Sequence, residues 1–412
     1  THTITVEAVD KSGNVTTNSV TAIMDKIKDV SWQKTFGGEG SDRALSIQQT
    51  TDGGYIVAGW TYSFGFGGED FYVSKLNSKG EVEWEKTFGG EDDDVANSIQ
   101  QTTDGGYIVA GWTESLSSGR QDIYILKLNS KGEVQWQKTF GGRNDDEAKS
   151  IQQTTDGGYI VAGWTKSFSS GKDAYILKLN SKGEVQWQKT FGGKDDDVAN
   201  SIQQTTDDGY IVAGCTYSFG SGEEDVYILK LNSKGEVQWQ KTFGGRNDDE
   251  AKSIQQTTDG GYIVAGWTKS FSSGKDAYIL KLNSKGEDEW QKTFGGKYDD
   301  EANWIRQTTD GGYIVAGWTK SFGSGGLDAF VLKLNSKGED EWQKAFGGKY
   351  YDEANSIQET TDGGYIVAGW TWSFGSGEGD AYILKLNSKG ESGTNTHEEK
   401  NVLPSGYGAT TY

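Results

Sequence analysis

The chain has 412 residues and a formal charge of −20, from 60 acidic and 40 basic side chains. That balance excludes the basic footprint that nucleic acid or an anionic membrane surface attracts, and no apolar run approaches the roughly 20 residues of a membrane-crossing helix. A single cysteine, Cys215, excludes an internal disulfide framework.

In chain order, residues 1–23 stand apart. The stretch HTITVEAVDKSGNVTTNSVTA alternates (Ile4, Val6, Ala8), turns at DKSGN and alternates again, which predicts a β-hairpin. It resembles the last two strands of the immunoglobulin-like domains found in strings on bacterial and archaeal surface proteins. A lone hairpin is marginal in water, so the natural protein is expected to continue upstream. The chain starts at Thr1, as expected of a fragment or a mature product. Residues 24–29 read as a connector.

From residue 30 to 391 the chain repeats itself. WQKTFGG at residue 32 returns in close copies at 84, 136, 187, 239, 290 and 342, spaced 51 or 52 residues apart. In the third unit, AKSIQQT predicts a first strand, TDGG a tight turn and YIVAGWT a second strand. The loop KSFSSGK leads to the third strand DAYILKLN, the turn SKGE and the fourth strand VQWQKTF. Asp-Gly and Lys-Gly between β-rich runs are hairpin signals because glycine accepts φ > 0 without strain. Four short antiparallel strands in each of seven units predict an all-β, seven-bladed β-propeller of four-stranded blades. The seventh unit ends after its third strand, and the missing fourth is VSWQKTF at residues 30–36. The amino-terminal strand is therefore expected to complete the last blade and close the ring, protecting its edges.

The repeat resembles the propeller repeats of secreted bacterial and archaeal proteins, and DAYILKLNSKGEVQW is similar to the blade motif of quinoprotein-like propellers. The resemblance implies the fold and an extracellular or cell-surface location. The dehydrogenases sharing the motif carry disulfides and metals that this chain does not match, so their chemistry is not carried over. The single Cys and the triplet Asn14–Thr16 agree with an extracellular setting. Residues 392–412 read as a polar tail or linker.

The turns TTDGG and NSKGE hardly change between units. The inter-blade loops and the loops between second and third strands do change, and all of these should lie on the opposite face. Such one-sided variation marks a binding surface, or loops free to drift. The aromatics that break the repeat are Tyr62 and Phe66 in unit one, Tyr298 and Trp304 in unit six, and Tyr350, Tyr351 and Trp372 in unit seven. Closure makes these units neighbours, so they form a candidate sector for a carbohydrate or protein ligand. Trp304 lies within a strand and could instead pack inward.

Acidic loops such as Asp92, Asp93, Asp94 and Asp195, Asp196, Asp197 are weak candidates for Ca²⁺, which takes six to eight oxygen ligands. Solvated turn and capping roles fit them better, and no cofactor is expected. The aspartates opening each third strand (Asp70, Asp122, Asp173, Asp225, Asp276, Asp328, Asp380) should bind the preceding loop. Trp60, Trp112, Trp164, Trp267, Trp318 and Trp370 should pack between blades, with Cys215 in the seventh such place.

His2 and His397 lie outside the repeats, which excludes a Ser–His or Cys–His device in the ring. Residues 143–184 and 246–287 are identical, which favours repeated weak sites over one unique centre. The expected function is a non-catalytic interaction module of a larger secreted or surface protein. A polysaccharide-acting glycosidase or lyase using loop carboxylates and a structural spacer are the alternatives.

Overall fold

The computed structural model describes residues 2–9, 15–22, 31–117, 120–168, 171–271 and 274–393. Connector 24–29, the triplet at Asn14 and the tail beyond 393 lie outside them. His2–Val9 pairs antiparallel with Val15–Ala22, giving the expected hairpin. No helix long and apolar enough to cross a membrane occurs among the described residues.

The repeats form seven four-stranded antiparallel sheets. Blade 1 comprises Asp42–Gln49, Tyr55–Thr61, Asp70–Leu76 and Val82–Phe88, and blades 2 to 6 repeat that order. Blade 7 is stitched from Asp352–Glu359, Tyr365–Thr371, Asp380–Leu386 and the early strand Trp32–Phe36. Trp32 lies opposite Lys385 and Phe36 opposite Ala381, so the ring closes as the repeat count requires. First strands touch the first strands of both neighbouring blades all the way round, so they line the central channel.

The core is seven apolar clusters between blades, each joining residues of two sheets. In one, Ile56, Phe71 and Val73 of blade 1 meet Ile99, Tyr107 and Leu126 of blade 2. Apart from Trp304, a first-strand residue, the indoles that pack in these clusters come from fourth strands. Trp84 meets Tyr107 edge-on at 5.8 Å, and Trp32 meets Tyr55 at 6.0 Å where the ring closes. Each such indole also lies over the Lys-Gly turn of the next blade. A Cβ on Gly80 (φ 72°) would stand 2.6 Å from Trp32, so both conformation and space demand glycine there. The Trp60 series lies nearer the variable end, outside these apolar clusters, and reaches across blade junctions through cations: Arg43 of blade 1 lies over Trp370 of blade 7, and Lys275 of blade 5 over Trp318 of blade 6.

Every first strand carries a bulge, such as that between Ala44 and Ser46. It drives a carbonyl towards the glycine of the opposing AGWT or AGCT: a Cβ on Gly163 would stand 1.8 Å from the Glu147 carbonyl oxygen. That is why the glycine never varies between units.

Candidate functional site

The two ends of the ring differ as the repeat comparison predicts. At the constant end, a buried third-strand lysine reaches the turn aspartate: Lys178 meets Asp156 at 2.9 Å and donates to the Leu179 carbonyl. Asp156 also accepts from Thr154 and Gly158, and these bonds with Lys178 outweigh burial and hold it down to about 2. At the variable end, Asp70, Asp225, Asp328 and Asp380 bind the preceding loop as expected. Asp70 accepts from Phe66 N, and Asp225 from Ser221 N and Gly222 N. These carboxylates face the first aspartate of the neighbouring blade's first strand across a glycine. A Cβ on Gly37 would lie 2.4 Å from Asp42 Oδ2 and 2.5 Å from Asp380 Oδ1. Burial, reinforced by the facing aspartate and opposed by the loop amide, pushes Asp380 up to about 7.

One cross-strand pair carries most of the variation between blades. The amide of its second residue donates to the carbonyl of its first, as from Trp372 to Tyr351. Blades 3, 5 and 6 place an ion pair there: Asp145–Lys166, Asp248–Lys269 and Asp299–Lys320, at 3.3, 2.9 and 3.3 Å. Blade 7 places Tyr351 edge-on to Trp372 at 5.6 Å, and blade 1 holds Ser41 and Tyr62.

From that exchange grows a continuous ladder across the closure. Trp372 meets Trp370 at 5.8 Å, and the Arg43 guanidinium lies 4.1 Å from the Trp370 ring and 5.3 Å from the Trp60 ring. Trp60 meets Tyr62 at 5.6 Å. Tyr62, Tyr351 and Trp372 are each about half exposed, whereas Trp60 and Trp370 are buried beneath them. Trp372 lies over Gly379, whose Cβ would stand 2.5 Å from the indole. Burial lowers the Arg43 pKa, and Glu353 and Glu69 oppose the shift. Burial and Asp93 push Glu69 up to about 7, against the pull of Arg43.

The ladder holds Tyr62, Tyr351 and Trp372 of the predicted sector. Tyr298 and Tyr350 are exposed on the same face beside Lys297 and Lys349, without a ring contact to the ladder. Phe66 is exposed in the blade 1 loop. Trp304 lies elsewhere: it sits mid-strand opposite Ala316 on the channel wall, half-buried and packed against the blade 6–7 cluster. The sequence reading missed Arg43. Its signal was present, since the equivalent positions hold Val95, Glu147, Val198, Glu250, Glu301 and Glu353.

Four of the acidic-loop candidates bind loop amides through their carboxylates. Asp93 Oδ1 accepts from Glu69 N and Asp196 Oδ1 from Lys172 N, while Asp94 and Asp197 each accept from a loop amide and a serine hydroxyl. Asp92 and Asp195 donate their own amides to serine oxygens.

A second feature was legible only as a packing change. Cys215 replaces the indole of blade 4, and a polar cavity of about 910 Å³ opens beside it, lined in part by Trp164, Lys172, Asn200, Tyr217 and Lys252. Cys215, Glu224 and Glu250 place ligand atoms within 4.8 Å of one another. Those carboxylates are already engaged, Glu224 by the Tyr217 hydroxyl at 3.0 Å and Glu250 by Lys252 at 2.7 Å, so no metal is assigned to them. Burial, with the nearby glutamates, pushes the Cys215 thiol far up.

Comparison with known proteins bears on the fold. The family described as "Domain of unknown function (DUF5122) beta-propeller" matches residues 360–391, within the last blade. Regulatory protein FlaEY of Caulobacter vibrioides is 23% identical over 265 residues, covering 56% of this chain and 27% of that protein. The chain thus spans about a quarter of that relative's length. Among solved structures, the Neurospora crassa Pan2 WD40 domain superposes with a TM-score of 0.52 at 12% identity, over 87% of this chain and 97% of that one. YCF48 bound to D1 peptide gives 0.50 at 9% identity, over 86% and 96%. These likenesses concern the fold alone: the chain is similar to known propellers and is itself a seven-bladed one.

Proposed function

We propose that the chain is a non-catalytic interaction module whose variable face binds a protein ligand through the ladder of blades 7 and 1. The observation that carries this reading is the geometry of the rings. Tyr351 and Trp372 are inclined at 85°, Trp370 and Trp372 at 72°, and Trp60 and Tyr62 at 84°. Perpendicular rings offer clefts for side chains rather than the flat platform on which a sugar ring stacks. Tyr and Trp with a half-buried Arg are also the residue types that dominate binding energy at protein interfaces. The surrounding Glu69, Asp93 and Glu353 suit a partner carrying basic side chains. Attachment to a larger extracellular chain, through the hairpin at residues 2–22, belongs to the same proposal.

The test is an alanine triple variant at Tyr62, Tyr351 and Trp372, probed on peptide and glycan arrays alongside the unaltered protein. Peptide binding should fall at least tenfold with the melting temperature nearly unchanged, because the three side chains are half exposed. Glycan binding that depends on these residues would replace the protein ligand by a carbohydrate. Array binding that survives the triple variant would move the site elsewhere.

The glycosidase alternative keeps one observation in its favour, the raised Glu69 beside Asp93 at the ladder's edge, as an acid catalyst would need. Release of reducing sugar from a polysaccharide, abolished by Glu69→Gln, would establish it.

A further inference from the structure

The inner edge of each blade is a sheet edge, and its outward amides need acceptors. The preceding blade supplies them from two side chains. Ser46 Oγ accepts from Ile99 N at 3.2 Å, and Gln48 Oε1 accepts from Gln101 N at 2.6 Å. The same two bonds recur from blade 2 to 3, from 3 to 4, from 4 to 5, from 5 to 6 and across the closure from 7 to 1.

Blade 6 breaks the series. It carries Trp304 and Arg306 where the other blades carry serine and glutamine. An indole and a guanidinium only donate, so blade 6 offers no side-chain acceptor to the amides of Ile357 and Glu359. Arg306 is half-buried on the channel wall, with its guanidinium 4.8 Å from the Trp304 ring. Among the described residues it has no ion pair and no hydrogen bond. Other sequestered cations are matched: Lys252 lies 2.7 Å from Glu250, Lys275 2.8 Å from Glu301, and Lys333 2.9 Å from Asp310. Burial draws Arg306 down to about 10, with no carboxylate acting against it. The Glu359 carboxylate, on the blade 7 edge strand, is engaged by Thr309, accepting from its amide at 2.7 Å and from its hydroxyl at 2.8 Å.

A charge partly withdrawn from water with no opposite charge beside it carries a cost. Here the cost falls where two edge amides have also lost their acceptors, in a chain of strongly negative charge. Three donors without acceptors, set against an aromatic face, form the complement of a planar anion with two oxygens. We propose that the channel wall at the blade 6–7 junction binds a carboxylate, with Arg306 and the amides of Ile357 and Glu359 as donors and Trp304 as the stacking surface. The carboxylate comes either from a small organic acid or from an acidic side chain of a protein segment entering the channel. The site is separate from the aromatic ladder and does not depend on it.

The test compares the full chain with the double variant Trp304→Ser/Arg306→Gln, which restores the serine and glutamine of the other blades and should fold. Each protein is melted and titrated calorimetrically with succinate, inorganic phosphate and an amidated peptide rich in glutamate. The unaltered protein should be stabilised by succinate, by the peptide or by both, and the double variant should lose at least tenfold in affinity. Response to succinate identifies a small acid, and response to the peptide alone identifies a protein carboxylate. Equal responses in both proteins, response to phosphate alone, or no response would overturn the proposal. So would a double variant melting well below the unaltered chain in anion-free buffer, since Trp304 and Arg306 would then be stabilising the junction themselves.

Discussion

The two ends of the propeller axis are built from the same strands and treat charge in opposite ways. At the constant end, Asp52, Asp104, Asp156 and Asp310 are held down to about 2 by threonine, lysine and turn amides, against the effect of burial. At the variable end burial wins, so Asp70 is pushed up to about 6 and Asp380 to about 7. One end is closed by satisfied, charged turns that every blade repeats. The other carries strained electrostatics, and its exposed positions change from blade to blade. The difference shows where this fold tolerates instability, and a binding surface is the kind of region expected to draw on that margin.

The comparison can be broken or sharpened by mutation. The largest effect should come from Gly163→Ala, whose Cβ meets a backbone carbonyl that cannot yield. We expect a loss of about 3 kcal/mol, read by denaturant unfolding, at the upper end for overpacking. Asp156→Ala should follow, with a loss of about 2 kcal/mol, because it leaves the buried Lys178 without its carboxylate, discounted for the exposure of Asp156. The same pair predicts an acid limb. A depressed carboxylate adds stability above its unfolded value of 3.8 that is lost as pH falls towards about 2.

The variable end predicts the opposite slope. A raised carboxylate favours the fold while protonated, so its contribution is complete below 3.8 and is lost as pH rises through about 7. Melting temperature should therefore decline from pH 4 to pH 8. Asp380→Asn, which keeps an acceptor for the Ser376 amide, should flatten that decline.

Next comes the one lapse at the constant end. Asp208 occupies the turn position that is glycine elsewhere, with φ at 61°. Asp208→Gly should stabilise by about 1 kcal/mol, the cost of a left-handed conformation for a side-chain-bearing residue. The smallest effect belongs to Asp145→Ala, which breaks a partly exposed ion pair with Lys166 and should change stability by no more than about 0.5 kcal/mol.

The ring was legible because its cause is local and repeated. Turn glycines, strand alternation and a unit lacking its fourth strand are written along the chain, and closure follows from counting. The sector was only half legible. Tyr62, Tyr351 and Trp372 stood out as departures from the repeat, but a departure does not reveal depth. Trp304 breaks the repeat equally and faces the channel. Arg43 joins the two halves of the ladder by stacking between Trp370 and Trp60, a contact between blades that no spacing within a unit encodes. The cavity beside Cys215 was hidden for a related reason: removing an indole opens space whose lining comes from neighbouring blades.

The stitched blade also sets an order of events during synthesis. The strand Trp32–Phe36 leaves the ribosome among the first of the propeller, yet its partner Asp380–Leu386 is among the last. At about 5–20 residues per second, the early strand waits tens of seconds with its backbone unpaired. Throughout that interval the growing array is an open arc with sticky ends, able to join a neighbouring nascent chain instead of itself. The short, lysine-bearing early strand is well suited to that wait, because a charged edge resists pairing with the wrong sheet.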